Sequence, residues 1–231
     1  MTKKFPFVCP VGRLGIWLAL FLFLVGVSQV CANTLCFVNA LPRVEKVDLL
    51  YQGKKIRPYP FGEGDITACL VVPPGNLAFT VQDPAGGSSP LAMKIDPGQH
   101  KTVVIYEKII RDPKTLKEEK KISVLEAPRV GPPEDGKTQF RVAYVGGKDA
   151  LALQIDGTTM TLTPDSVSEL QKGGLSVKVK AGSSDTESWS FTFEDSQSFV
   201  LVIFRGHDGK LRSSVAYESL GADSDSQNKK N

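Results

Sequence analysis

Few side chains in this 231-residue chain could do acid–base or nucleophilic chemistry, and they are poorly spaced for it. Histidine occurs twice, at His100 and His207, each in or beside a predicted hairpin turn ("PGQHK" and "RGHDG"). A hydroxyl nucleophile needs a histidine to take its proton and a carboxylate to orient that histidine. His207 beside Asp208 could begin such a relay. Adjacent turn residues usually point apart, and no G-x-S-x-G elbow occurs, so a histidine-dependent catalyst is not expected. A carboxylate pair for glycoside cleavage would draw on Glu63, Asp65, Glu194 and Asp195, all in turn-like stretches where solvated carboxylates are the rule. Glycine loops with phosphate-binding spacing are absent. "GEGD" (62–65) and "DPAGGSSP" (83–90) offer oxygen atoms without the spacing of a calcium loop and read as turns. The expectation is a chain with no cofactor, no metal and no enzymatic activity.

Cysteine chemistry narrows to one pair. Cys9 and Cys31 fall within an N-terminal leader. Cys36 and Cys69 remain, both at predicted buried strand positions, where a disulfide and two buried thiols are both open. Sequence spacing does not say whether their Cα atoms lie within bridging distance. Two cysteines and two scattered histidines do not make a zinc site.

Two stretches could bind rather than react. "EKIIRDPKTLKEEKK" (107–121) is dense in Lys and Glu, with apolar residues interleaved. It reads either as a solvated arm whose charges block edge-to-edge pairing or as a docking arm for a partner protein or an acidic glycan. Its candidate contact residues are Ile109, Ile110, Lys114, Leu116 and Lys117. In "IRPYPFGEGD" (56–65), Tyr59 and Phe61 alternate with proline and could anchor a ligand or cap a core.

The elements that must position these residues are strands. Lys3, Lys4 and Arg13 accompany an apolar run of about fourteen residues, "LGIWLALFLFLVGV" (14–27), followed by "SQVCA" (28–32). That pattern predicts a secretory signal cleaved after Ala32. The run is shorter than the roughly 20 apolar residues of a membrane span. Without the three leader cations, 28 basic residues become 25, equal to the 25 acidic ones. A near-neutral chain has no electrostatic case for nucleic acid or an anionic membrane.

The remainder repeats itself. "VDLLYQG" (47–53) returns as "LALQIDG" (151–157) at an offset of 104, and Cys36 and Val38 match Phe140 and Val142 at that offset. At an offset of 98, "GNLAFTV" (75–81) matches "GGLSVKV" (173–179), "LAMKI" (91–95) matches "WSFTF" (189–193), and "TVVIY" (102–106) matches "VLVIF" (200–204). Each run has the two-residue period of a strand with one face buried. Gly, Pro, Asp and Ser separate the runs as turns at 83–89, 96–99 and 206–210. One helical turn is expected at 165–171, "DSVSELQ". The predicted fold is all-β: two tandem immunoglobulin-like antiparallel β-sandwich domains after the signal, at 33–127 and 138–220. A Pro-rich linker (128–137) joins them and a polar tail (221–231) follows. The hairpin carrying 107–121 is about seven residues longer than its counterpart near 205–210.

"CFVNALPRVEKVDLLYQGKKI", "VVPPGNLAFTV" and "PGQHKTVVIY" resemble a family of secreted bacterial β-sandwich repeats of unknown function. In those repeats a strand ending in Asn precedes a "vDvy.dG" strand, a "l.vpaG.ytv.v" strand and a "l..G..yTvv..G" hairpin. The resemblance covers most of 34–106 and, more weakly, 140–205. The two-domain layout behind a leader is also similar to the AlgF family of periplasmic alginate biosynthesis proteins. That similarity implies a non-catalytic partner in polysaccharide O-acetylation. The expectation is therefore a periplasmic or secreted adaptor that docks onto a cell-envelope protein or polysaccharide. A carbohydrate-binding module using Tyr59 and Phe61 is the alternative.

Overall fold

The computed structural model describes residues 33–129, 133, 137–155, 158–172, 176–181, 187–192 and 197–218. The predicted leader, most of the linker, Gly157, Glu194, Asp195 and the polar tail lie outside the described residues. Among the described residues the chain is all-β, with seventeen strands and no helix.

The first half contains β1 (Asn33–Ala40), β2 (Asp48–Tyr51), β3 (Lys54–Lys55), β4 (Leu70–Val72), β5 (Gly75–Gln82), β6 (Ser88–Ile95), β7 (His100–Arg111) and β8 (Glu118–Pro128). The second contains β9 (Gln139–Val145), β10 (Leu151–Ile155), β11 (Thr158–Leu162), β12 (Ser166–Val167), β13 (Gln171–Lys172), β14 (Ser176–Ala181), β15 (Glu187–Thr192), β16 (Ser198–Arg205) and β17 (Leu211–Tyr217). Each half makes two sheets. The outer sheets run β3-β2-β5-β6 and β11-β10-β14-β15, and the inner sheets run β4-β1-β7-β8 and β12-β9-β16-β17.

The inner sheets are mixed, where a wholly antiparallel fold is expected from the sequence. β1 pairs parallel with β7, and β9 pairs parallel with β16. A parallel neighbour needs a long crossover. Here β2 to β6, and β10 to β15, supply it. The turn between β2 and β3 is the tight hairpin expected at Gly53: Gln52 and Gly53 both have positive φ (51° and 74°), as a two-residue primed turn requires. The helical turn expected at 165–171 does not form. β12 and β13 occupy that stretch, and Ser168 between them exchanges hydrogen bonds with Val142 of β9 (2.8 and 3.0 Å).

Side chains alternate across a strand, so each strand face can serve a different core. In β1, Leu35 and Phe37 join β2, β5 and β6 in a first core. In β9, Phe140, Val142 and Tyr144 join β10 and β11 in a second. The opposite faces meet in a third core. Val38, Ala40, Val104, Tyr106 and Ala127 of the first inner sheet pack with Ala143, Val145, Val200, Val202, Phe204 and Ala216 of the second. The layers are therefore outer, inner, inner, outer, and β1, β7, β9 and β16 are apolar on both faces. "TVVIY" and "VLVIF" are unbroken apolar runs because neither of their faces meets water.

Strand pairing also corrects the repeat. Phe37 lies opposite Val103, and Val142 opposite Leu201, which makes β1 and β9 equivalent at an offset of 105 rather than 104. A one-residue slip exchanges the two faces of a strand. Cys36, matched to Phe140 from sequence, lies on the face of β1 that carries Val38 and Ala40 of the third core, while Phe140 faces the second. Its equivalent is Arg141. In the outer sheets, Phe79 lies opposite Tyr51 and Leu91 as Val179 lies opposite Ile155 and Trp189, so β5 and β14 correspond at 100 rather than 98.

Candidate functional site

The long arm is a regular β-hairpin. β7 and β8 pair continuously from Lys101 with Pro128 to Arg111 with Glu118. From Ile105 to its partner Val124 is 19 positions; from the equivalent Ile203 to Ser213 is 10. The extension is thus nine residues, two more than the sequence match indicates. Asp112 closes its tip, accepting from the Lys114 N–H (2.8 Å), the Thr115 hydroxyl (2.7 Å) and the Leu116 N–H at its carbonyl (2.8 Å). The two side-chain contacts hold the Asp112 carboxyl below its ordinary range.

The arm is fixed to the second half both nearer its base and at the last rung before its tip. Lys108 pairs with Asp165 (3.5 Å), and Glu118 receives the Lys148 ammonium on both oxygens (2.9 and 3.0 Å). Lys148 lowers the Glu118 pKa by hydrogen bond and charge. Glu107 accepts from Arg43 (3.1 and 3.2 Å) and lies 3.4 Å from Lys120. Arg43 also pairs with Asp83 of the β5–β6 turn. Ile109, half-buried, lines a cleft of about 160 Å³ with Pro42, Glu107, Lys120, Gly146 and Arg205. That is below the roughly 300 Å³ of a small-molecule pocket. Ile110 and Leu116 are exposed (41% and 61%), as are Lys114 and Lys117.

Two loops cross between the inner sheets in opposite directions. From the first half, Glu63 accepts from the His207 backbone N–H (2.9 Å), contacts the His207 ring (3.1 Å) and lies 3.5 Å from Arg212, while the Ser214 hydroxyl donates to the Gly64 carbonyl. From the second, Asp165 takes Lys108 and faces Tyr106. Burial first, and this carboxylate next, push the Tyr106 hydroxyl's pKa well above that of an ordinary tyrosine. Gly64 and Asp165 occupy equivalent places and share a left-handed backbone (φ 80° and 57°). The loops thus have one conformation and different chemistry.

These contacts account for the residues the sequence singles out for catalysis. His207 is held by Glu63, while Asp208 caps its own turn through the Lys210 N–H and Arg212. His100 meets Thr34 (2.7 Å), and burial, then Arg129, lower its pKa. Asp65 accepts from the Gly62 N–H (2.9 Å) and lies 3.5 Å from Arg57. Glu194 and Asp195 lie outside the described residues. Among the described residues no cluster of three or more His, Cys, Asp or Glu is arranged to hold a metal ion, and no helix is long and apolar enough to cross a membrane.

Cys36 and Cys69 form a disulfide with Cα atoms 4.2 Å apart. Cys36 is buried, but Cys69 is exposed and lies in the loop before β4, not on a buried strand as expected. At the offset of 101 set by β4 and β13, its equivalent is Leu170. Arg129 draws this corner together, donating to Cys69 Sγ (3.4 Å), Thr34 Oγ1 (3.3 Å) and the Tyr217 carbonyl of the second half (3.2 Å). The proposed aromatic pair is split. Tyr59 is 71% exposed, whereas Phe61 is fully buried in the first core. Val47 and Phe61 bridge as Leu151 and Leu162 pair, so Phe61 is a repeat core position. A flat two-ring binding platform does not exist here.

Arg43, Glu107, Arg129 and Asp165 were not singled out from sequence. Their partners lie from 13 positions away (Lys120 from Glu107) to 95 (Thr34 from Arg129), and no local pattern encodes such pairs. No protein-family model matches the chain, and no curated protein matches it in sequence.

Proposed function

We propose that this is an exported, non-enzymatic cell-envelope protein that works as a docking or adaptor module, with the 107–121 hairpin as its contact arm. The observation that carries the reading is the arm's division of labour. Lys108–Asp165 nearer its base and Glu118–Lys148 at the last rung before the tip hold it in place, while Ile110 and the tip residues Lys114, Leu116 and Lys117 stand in solvent. An isolated two-stranded hairpin is marginal in water. Nine additional residues held in place add no core to the sandwich, which favours a contact role. Export is supported by the leader pattern and by the Cys36–Cys69 disulfide, since disulfides persist in oxidising compartments. In this reading the halves are immunoglobulin-like sandwiches derived by duplication. The pathway that fits the layout is exopolysaccharide O-acetylation of the alginate type, in the periplasm.

The test is co-purification from envelope extract. The mature chain (33–231) is compared with a version whose residues 109–120 are replaced by a two-residue Asn-Gly turn. The reading expects a defined partner retained by the intact arm and lost without it, with both proteins folded. Equal capture by the two removes the arm from the function.

A further inference from the structure

We infer that the arm's outer half is built for an acidic protein surface containing a small apolar pocket; this rests on the docking reading above. Residues 107–121 contain four carboxylates: Glu107, Asp112, Glu118 and Glu119. Three are engaged within the chain. Glu107 holds Arg43 and Lys120, Asp112 caps the tip, and Glu118 holds Lys148. Lys108 and Lys120 are likewise engaged, by Asp165 and Glu107. Lys114, Lys117 and Lys121 have no ion-pair partner among the described residues, and all three are exposed. The arm therefore presents more free positive than negative charge, with Lys114 and Lys117 at its tip, because folding engages three of its four carboxylates.

Leu116 supplies the second observation. It sits at the tip between Lys114 and Lys117 with φ 58° and is 61% exposed. A left-handed backbone disfavours any Cβ-bearing residue, and Gly or Asn is the usual solution. Leucine there is unfavourable for the backbone and unfavourable in water. Neither fold stability nor solubility accounts for it. A partner pocket that takes the side chain does, with Ile110 (41% exposed) as a second apolar contact on the arm. Two unpaired ammonium groups flanking an apolar knob, with a third further down the same hairpin at Lys121, complement a pocket rimmed by Asp and Glu. A polyanionic glycan would satisfy the lysines but not the leucine, which favours protein.

The experiment uses the full mature chain and two defined probes in surface plasmon resonance. One is an acidic-apolar peptide of alternating glutamate and leucine; the other is a polyuronate of matched charge. The inference expects peptide binding that weakens as salt rises from about 50 to 300 mM. Lys114→Glu, Lys117→Glu and Lys121→Glu together should abolish it, and Leu116→Ala should weaken it about tenfold. Leu116→Gly relieves the backbone, so a more stable protein that has lost peptide affinity separates the contact from the fold. Binding to polyuronate alone with Leu116→Ala silent, or binding to neither probe, overturns the inference. If the arm-dependent partner of the co-purification experiment is retained by the triple charge reversal, the docking reading stands and the acidic surface does not.

Discussion

Phe204→Ala tests whether the two halves behave as one folding unit. Phe204 is 1% exposed, within the core between the inner sheets. Its ring comes within 3.7 Å of the place a side chain at Gly64 would occupy, so it packs against the first half while belonging to the second. Truncating a buried Phe to Ala costs about 3–5 kcal/mol, from lost transfer energy and the cavity left behind. That is a large part of the roughly 5–15 kcal/mol that stabilises a domain. With a urea slope of about 2.5–3 kcal/mol per M, the midpoint should fall by about 1–2 M. Trp189 packs on the second core and is the sole tryptophan beyond the predicted leader, so its fluorescence follows that half. Tyr51 stacks on Phe79 in the first core, at 4.8 Å between ring centres. A Tyr51→Trp, Trp189→Phe chain therefore follows the first half. The layered core predicts coincident transitions for the two reporters and the same downward shift in both when Phe204 is truncated. Separate transitions, or a shift in the Trp189 signal alone, would show two independent sandwiches and refute the shared core.

Other consequences are as direct. Phe61→Ala should cost about 3–5 kcal/mol by thermal or urea unfolding, while Tyr59→Ala should stay within about 0.5 kcal/mol; similar values for the two would remove Phe61 from the core. Replacing Cys36 and Cys69 together by alanine should cost about 3–4 kcal/mol, from a cross-link spanning 33 positions, and native protein should show no alkylatable thiol at these residues in mass spectrometry. Burial raises the pKa of both Tyr106 and Tyr144 above the ordinary value. A folded chain keeps these hydroxyls protonated where the unfolded chain ionises them, so they contribute stability that is complete below about pH 10 and lost as pH rises through their folded values. Absorbance titration at 295 nm should show a late tyrosine phase that Tyr106→Phe and Tyr144→Phe together remove; a single phase near pH 10 in folded protein would contradict the burial.

The sequence displays the strands because burial on one or two faces leaves a local trace. The runs at 75–81, 91–95 and 102–106 fall within β5, β6 and β7, and the turns at Gly53, 83–89, 96–99 and 206–210 fall where glycine and proline put them. What sits on the far face of an inner strand has no local trace. "TVVIY" reads as one strand with a buried face whether its other face meets solvent or another sheet. The slip from 105 to 104 has the same origin. β1 is buried at seven of its eight positions, so shifting the match by one still pairs apolar with apolar. The arm was legible as an insertion because a duplicated chain supplies its own reference length. Its ion pairs were not, since Lys108 and Asp165 are 57 positions apart and meet only after the inner sheets have packed. Phe61 was ambiguous beside Tyr59 for a related reason: an aromatic in a Pro-rich loop looks the same whether the loop turns it inward or outward.

The shared core and the arm bear on one another. If the halves were beads on a linker, Lys108–Asp165 and Glu118–Lys148 would be contacts between partners free to separate. Exposed pairs of this kind contribute little, typically under about 1 kcal/mol each. They could not hold a hairpin that pays its own ordering entropy. The layered core removes that difficulty. It fixes Asp165 and Lys148 relative to β7 through Val104, Tyr106, Val145 and Val202, so each ion pair is closed between groups already in position. Pre-organised contacts lose little entropy on forming, and the same holds for a partner that meets a hairpin already ordered. Weakening the core between the inner sheets should therefore impair docking at a distance from the arm. Val202→Ala should lower partner affinity while leaving every arm residue unchanged. The measurement is binding at a temperature where the variant remains folded, with the arm's own amide exchange followed in parallel. Faster exchange in 107–121 together with weaker binding is the expected result. Unchanged exchange alongside unchanged affinity would mean that the hairpin orders itself, and the arm's length would then need an explanation other than its support.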